Sequence, residues 1–196
     1  MTPPELSPRA ARFLATLPRR PWLATERVEA LLIADGCPAF PAWLHFHERY
    51  AGYEETFYLD GFVWGLAHRE PYWWNPERVN WERDGPGYDV WCADGHPTYS
   101  YQLDQDGVFA AHGQHRTFDL YVERMAAFRE FVKGSREVPR EVLLGAEFRA
   151  EFDTRVRPFL VPDLTDQFRR YYLSGTHLVI ESAEDDRLSR AWVRIG

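Results

Sequence analysis

The stretch from residue 88 to residue 134 constrains the fold more than any other part of the chain. Over residues 98–103, large apolar side chains alternate with polar ones, which is the two-residue period of a strand with one buried face. Asp-Gly pairs at 94–95 and 106–107 flank this strand, and such pairs favour hairpin turns because those turns need positive φ angles. The stretch therefore predicts a meander of three antiparallel strands.

A helix is predicted directly after the meander. Thr117 has the short polar side chain preferred at an N-cap, and Gly134 is a typical helix stop. Four large apolar residues between them recur at spacings of four and three on one face: Tyr121, Met125, Phe128 and Val132. We expect this helix to lie across the meander and to cover its buried face.

Proline, glycine and capping residues mark the elements before the meander. Three helices are predicted: one from Pro8 to about Leu17, one that follows Thr25 and stops at Gly36, and one that starts at Pro41 and runs up to Gly52. Ser7 and Thr25 are the expected N-caps of the first two helices. A hairpin with its turn at Asp60-Gly61 follows, and residues 69–87 form a long irregular connection.

The C-terminal part of the chain has a different pattern. It predicts helices over 141–152 and 163–173 and then strands over 177–181 and 188–195. The sequence leaves open whether this last hairpin joins the first sheet. The predicted fold class is α+β, with N-terminal helices, a central antiparallel meander covered by a helix, and C-terminal helices plus a β-hairpin. We expect a core domain at residues 1–134, and an extension at residues 135–196 packed on the same domain.

Several classes of protein are disfavoured by the composition. No apolar run approaches the ~20 residues that a membrane-spanning helix needs, and the N-terminus has no signal-peptide pattern. Two cysteines, Cys37 and Cys92, are too few for a disulfide framework. They indicate a reduced, cytoplasmic protein in which both thiols serve packing.

The net charge of −7 is concentrated in one part of the chain. Residues 51–122 contain twelve Asp or Glu and four Arg, whereas the segments on either side are close to neutral. An acidic surface repels nucleic acid and attracts basic partners. A surface that serves only solubility would have the same composition, so both interpretations stay open.

No sequence motif points to catalysis or to a cofactor. Asp104 and Asp106 imitate the opening of a calcium loop, but Val108 occupies the third ligand position, so we expect a turn and no metal. A less favoured alternative, a small hydrolase or metal enzyme, would use three side chains near the start of the helix: His112, His115 and Asp119.

Two motifs follow each other along the chain. Residues 41–53 read PAWLHFHERYAGY, and residues 89–109 have the pattern D-V-W-x-A-D-G-x-P-x-Y-x-Y-x-L-D-x-D-G-V-F. Over roughly residues 25–134 the chain resembles the SUKH superfamily, which includes a yeast cell-wall synthesis regulator and many bacterial immunity proteins. The resemblance implies an α+β fold and a binding role without catalysis, because the bacterial members neutralise toxins, often nucleases, by direct contact.

The predicted function is that of a non-catalytic immunity protein that binds a basic protein toxin, without nucleic acid, membrane or cofactor. An intracellular scaffold or regulatory module without a toxin partner is the alternative. Acidic side chains and tryptophans are the expected anchors of such an interface. The expected contact residues are Asp60, Trp73, Trp74, Glu82, Asp84, Asp94, Asp104 and Asp106.

Overall fold

The order of helices and antiparallel strands confirms the α+β fold class. A computed structural model describes residues 5–57, 60–68, 78–94, 101–110 and 114–195. These residues form two compact units, one of residues 13–118 and one of residues 5–12 and 119–195. The division after residue 118 lies earlier than the predicted domain boundary after residue 134. No helix in the described part of the chain is long and apolar enough to cross a membrane.

The three N-terminal helices lie where the proline and capping signals predict them. They are α1 (Pro8–Ala15), α2 (Thr25–Ala34) and α3 (Pro41–Tyr50). Ser7 caps α1, since its Oγ accepts the backbone N–H of Ala10 at 3.2 Å. The expected cap of α2 is wrong by one residue: Ala24 holds the N-cap position and Thr25 is the first helical residue.

Between α3 and the next helix, the described residues form ten short strands. They are β1 (Glu54–Phe57), β2 (Asp60–Trp64), β3 (Ala67–His68), β4 (Arg78–Val79), β5 (Trp81–Asp84), β6 (Gly87–Trp91), β7 (Ala93–Asp94), β8 (Gln102–Asp104), β9 (Phe109–Ala110) and β10 (Gln114–His115). All pairings are antiparallel, in sheets of order β1-β2-β7, β3-β4 and β10-β9-β8-β6-β5. The third sheet contains the described parts of the predicted meander, β6, β8 and β9, and Gly107 has the positive φ angle (+87°) that its turn requires. Residues 95–100 and 111–113, which include the predicted turn residue Gly95 and parts of the predicted strands, lie outside the described residues, and Asp94 belongs to β7.

Two predictions in this region are wrong in detail. Phe57 pairs with Asp60 and Thr56 with Gly61, so Asp60 and Gly61 belong to β2 and the first hairpin reverses before them. Strand register, which is fixed by side chains buried on one face, overrides the local turn preference of Asp-Gly. Residues 78–87 of the connection predicted as irregular contain β4 and β5, whereas residues 69–77 lie outside the described residues.

Aromatic side chains fill the core of this first unit. The ring of Phe118 lies 4.6 Å from that of Phe46, 4.7 Å from Tyr50, 4.9 Å from Trp64 and 4.7 Å from Phe109, measured between centroids. Edge-to-face contacts at these distances add to the stabilisation from burial. This cluster holds the inner face of the meander against α3.

The second unit contains α4 (Phe118–Val132) from its second residue onwards and a sheet of its own. Its other elements are β11 (Ser135–Glu137), α5 (Arg140–Leu143), α6 (Ala146–Glu151), a π-helical turn (Phe152–Val156), two 3₁₀ turns (Arg157–Phe159 and Pro162–Leu164), β12 (Arg169–Leu173), β13 (His177–Ser182) and β14 (Leu188–Arg194). Within the described residues the sheet order is β11-β14-β13-β12. The predicted C-terminal hairpin therefore belongs to a separate four-stranded sheet.

Both faces of this four-stranded sheet are covered. On one face, Ala127 and Phe131 of α4 pack with Leu178 of β13 and Trp192 of β14. On the other face, residues of α5, α6 and the π-helical turn pack with Tyr172, Val179 and Ala191. The helix predicted as the cover of the meander thus contributes most of its length to the core of the C-terminal sheet. Its start after Thr117 and its end before Gly134 are as predicted.

Of the two C-terminal helix predictions, the one over 163–173 is wrong, and the one over 141–152 is confirmed except for a break at residues 144–145. The helix predicted over 163–173 is a 3₁₀ turn followed by β12, because Asp166 Oδ1 accepts the N–H groups of Phe168 (3.0 Å) and Arg169 (2.9 Å) and directs the chain into the sheet. The helix predicted over 141–152 is divided by Gly145, whose backbone is extended (φ −70°, ψ 147°).

Candidate functional site

The outward face of the five-stranded sheet carries a row of carboxylates. The register places Glu82 of β5 opposite Asp89 of β6, and Asp89 opposite Asp104 of β8. Side chains directly opposite each other on antiparallel strands lie on the same face, with Cβ atoms about 5 Å apart. Three adjacent strands therefore present three acidic side chains in one line, which we call the acidic row (Glu82, Asp89 and Asp104).

Alternation along the strands explains why these side chains point outward. The residues between them face α2 and α3, where the Tyr88 ring lies 5.4 Å from that of Phe40. The Trp81 indole N–H donates to Asp35 Oδ2 at 3.0 Å, and Val90 is fully buried. One face of β5 and β6 is thus committed to the core, so the acidic residues between occupy the other face.

A shallow concavity lies beside the acidic row. It has a volume of about 390 Å³, and four carboxylates line it: Asp84, Asp89, Asp104 and Asp106. Gln102 and Gln105 are also in its wall, so it offers hydrogen-bond donors as well as acceptors. An arrangement with this many carboxylates is suited to receiving cationic side chains.

No basic side chain in the described part of the chain pairs with Glu82, Asp84, Asp89 or Asp106. Partial burial, followed by the charges of Asp104, Asp84 and Glu82, raises the pKa of Asp89 above its usual value. Like charges directly opposite each other in a sheet are destabilising. Repulsion between the carboxylates on this face therefore lowers the free energy of unfolding.

This repulsion predicts that Asp89→Asn changes the stability of the protein and its dependence on pH. A carboxyl whose pKa is raised on folding binds protons more tightly in the folded protein, so the wild-type free energy of unfolding falls as pH rises above the usual Asp pKa. We expect the variant to be more stable than wild type at pH 7, by up to about 1 kcal/mol, and this gain to disappear in acid. Urea unfolding at several pH values measures it. Glu141→Gln, on the exposed surface of α5, is the control, and a gain independent of pH would contradict the assignment.

Asp104 has a structural role as well. Its Oδ1 accepts the backbone N–H groups of Asp106 at 3.0 Å and Val108 at 2.8 Å, which fixes the turn between β8 and β9. Its carbonyl accepts the indole N–H of Trp43 at 2.7 Å, which anchors the turn to α3. The turn predicted at Asp104–Gly107 is therefore present.

The predicted contact residues separate into three groups. Glu82, Asp84, Asp104 and Asp106 come together around the acidic row and the concavity. Asp60 and Asp94 belong to β2 and β7 of a different sheet, and the structure does not describe their side chains. Trp73 and Trp74 lie outside the described residues.

Sequence reasoning missed Asp89, the centre of the acidic row. Its neighbours Tyr88 and Val90 face the core, so the alternation could have placed Asp89 on the outer face. Trp91, half-buried, shares that face two residues further along β6. The pairing of Asp89 with Glu82 and Asp104 could not have been found, because register between distant strands is not visible in a single sequence.

The three side chains of the hydrolase alternative are only partly described. His115 is buried with its ring 5.8 Å from that of Phe109, and half-buried Asp119 is the second residue of α4, while His112 lies outside the described residues. Burial, followed by the charge of Asp35, raises the pKa of Cys37 to about 11, and burial raises the pKa of Cys92 well above its usual value. Both thiols therefore stay protonated and unreactive, as expected for packing residues.

Comparison of the chain with protein-family models, with curated proteins and with solved structures finds no match. The resemblance to the SUKH superfamily therefore stays a prediction.

Proposed function

We propose that this chain is a non-catalytic binding protein whose acidic row receives a basic protein partner. The observation that carries the proposal is the alignment of Glu82, Asp89 and Asp104 on adjacent strands, with no cation from the described residues to balance them. A surface that serves only solubility gains nothing from placing like charges directly opposite each other, whereas a basic partner offsets their repulsion on binding.

The surroundings of the acidic row suit a protein partner. Half-buried Trp91 offers an aromatic surface on the same face, and aromatic rings flanked by carboxylates favour arginine. The concavity beside the row, of about 390 Å³, has room for a few side chains of a partner. Long-range attraction by the carboxylates speeds the encounter with a positively charged partner.

The resemblance to the SUKH superfamily supplies the class of partner in this proposal. The chain would act in the cytoplasm as an immunity protein and hold the basic active-site cleft of a toxin, such as a nuclease, against its acidic row. A scaffold or regulatory module with a basic partner of another kind is the alternative. A toxin reading frame adjacent to the gene supports immunity, and a neighbourhood without one favours the scaffold.

The test is charge reversal on the acidic face with a matched control. The triple variant Glu82→Lys, Asp84→Lys, Asp89→Lys leaves Asp104 in place, because that residue holds a turn. We expect association with the toxin domain encoded by the adjacent gene to slow at least about tenfold at low salt. The salt dependence of the association rate should also weaken. Stopped-flow fluorescence measures the rate.

The control variant Glu141→Lys, Glu147→Lys, Asp163→Lys changes net charge by the same amount at exposed positions of the other unit. If both variants slow association equally, the effect comes from net charge alone. Unchanged association kinetics in the variant of Glu82, Asp84 and Asp89 would reject the acidic row as the interface.

A further inference from the structure

Residues 18–24, which connect α1 to α2, run as a strap along the end of β1. The N–H of Arg20 donates to the carbonyl of Gly52 at 2.9 Å, and the N–H of Glu54 donates to the carbonyl of Pro18 at 2.9 Å. Arg20 Nε also donates to Glu54 Oε1 at 2.6 Å. These bonds fasten the first half of the strap.

The middle of the strap presses against the chain beyond β2. A Cβ atom on Gly65 would lie 2.4 Å from Trp22 Nε1, so the Trp22 indole occupies space that only glycine leaves open. Gly65 has a φ angle of +151°, which also favours glycine. Any movement of the strap must therefore take Trp22 away from Gly65.

His47 of α3 fastens the second half of the strap. The imidazole is 1% exposed, and its two nitrogens bind the backbones of two different segments. The N–H of Leu66 donates to Nδ1 at 3.1 Å, so Nδ1 carries no proton. The proton is then on Nε2, which donates to the carbonyl of Leu23 at 3.0 Å. A neutral imidazole of one fixed tautomer thus joins α3, the strap and the segment after β2.

We propose that His47 is an acid-sensitive latch between α3 and the segment after β2: a second proton on its ring, at Nδ1, would face the N–H of Leu66, break that bond and release Gly65–Leu66 from α3 and from Trp22 of the strap. An imidazolium has no acceptor to offer Leu66, and two N–H groups pointing at each other cannot both remain buried. The inference does not depend on the function proposed above.

Charges around His47 favour the neutral, latched state. Among the described residues, the charged side chains that line the cavity beside the imidazole, of about 470 Å³, are Arg19, Arg20 and Glu48. Two guanidinium groups oppose a further positive charge and one carboxylate favours it. Burial lowers the pKa of His47 below its usual value, and the bond to the Leu23 carbonyl opposes this effect.

The strap keeps its fastenings when the bond to Leu66 breaks. His47 Nε2 still donates to the carbonyl of Leu23, and a positive charge on the ring strengthens that bond. The backbone bonds of Arg20 and Glu54 do not involve His47. The segment at Gly65–Leu66 would therefore move away from α3 and uncover Leu66, which is fully buried when the latch is closed, making an apolar site available only in acid.

Nuclear magnetic resonance of the full ¹⁵N-labelled chain between pH 7.5 and pH 4.5 tests the latch. Because the imidazole pKa is lower when the latch to Leu66 is closed, opening is suppressed above the usual His pKa of about 6.5 and increases as pH falls below it. Uptake of one proton on opening predicts that the protection factor of the Leu66 amide falls about tenfold per pH unit in this range. The amides of Arg20 and Glu54 should keep their protection.

Variants of the two α3 histidines complete the experiment. His47→Gln should remove the pH dependence of Leu66 protection, and His45→Gln, the matched control, should leave it as in wild type. If His47→Gln fails to fold, the ¹⁵N shifts of the His47 ring in the wild-type protein still report the pH at which the ring takes up a proton. A ring that stays neutral until the whole unit unfolds would overturn the latch. So would a ring that titrates while Leu66 protection holds, or an unchanged pH dependence in His47→Gln.

Discussion

Replacing Arg124 with methionine is expected to lower the free energy of unfolding of the C-terminal unit by about 3–5 kcal/mol. The side chain of Arg124 is 2% exposed, that of Asp166 is 0% exposed, and the two are joined by a 3.0 Å contact between Nη2 and Oδ1. Arg124 Nε also donates to the carbonyl of Leu164 at 2.9 Å. Removing the guanidinium leaves a buried carboxylate without its counter-ion, which costs far more than the ion pair itself contributes.

Two further variants test whether the loss of stability comes from breaking the buried ion pair. Arg136→Met on β11 removes an exposed arginine from the same unit and should change stability by less than about 0.5 kcal/mol. The double variant Arg124→Met, Asp166→Asn should be less destabilised than Arg124→Met alone, because no buried charge is left. Urea unfolding followed by circular dichroism measures all three. A loss below about 1 kcal/mol in Arg124→Met would show that the ion pair does not hold α4 to the turn before β12.

The second large effect is expected at Glu181, at the centre of β13. Its carboxylate is 0% exposed and accepts the hydroxyl of Tyr172 at 2.6 Å, Arg170 Nη1 at 3.2 Å and Arg157 Nη2 at 3.3 Å. Glu181→Gln keeps the shape and removes the charge, so both guanidinium groups lose a charge-assisted hydrogen bond. We expect a loss of about 2–3 kcal/mol, less than for a fully buried pair because the arginines are 33–40% exposed and regain water.

A spectroscopic readout separates this role from general packing. Burial, followed by the hydrogen bond to Glu181, raises the pKa of Tyr172 to about 12. Glu181→Gln should bring the pKa of Tyr172 down towards the usual tyrosine value of about 10, visible as one more phenolate in ultraviolet absorption at high pH. Glu184→Gln, exposed on the turn between β13 and β14, is the control. Equal stability of Glu181→Gln and wild type would show that the bonds from Tyr172, Arg170 and Arg157 to Glu181 do not stabilise this unit.

Signals that act over a few residues explain what the sequence predicts well. Ser7 with Pro8, Pro41 and Gly134 fix helix ends through capping and φ preference, and the structure has helix ends there. Gly107 marks the turn of the meander for the same reason. Such residues determine local geometry whatever the rest of the chain does.

Long-range pairing explains what the sequence could not supply. The residue types of Arg169–Leu173 do not separate helix from strand; the turn held by Asp166 and the pairing with β13 together decide for the strand. The candidate site shows the same limit. Counting charges locates the acidic part of the chain, but only the register between β5, β6 and β8 turns scattered carboxylates into a row.

The burial of β13 affects how this chain can change in evolution. Val179 packs into the layer formed by α5, α6 and the π-helical turn, whereas Leu178 and Ile180 pack into the layer formed by α4. A change in the volume of one of these side chains must be compensated in its own layer, because the backbone of the sheet separates the two. Substitutions in the two layers should therefore accumulate independently, and each layer can drift while the central strand stays the same.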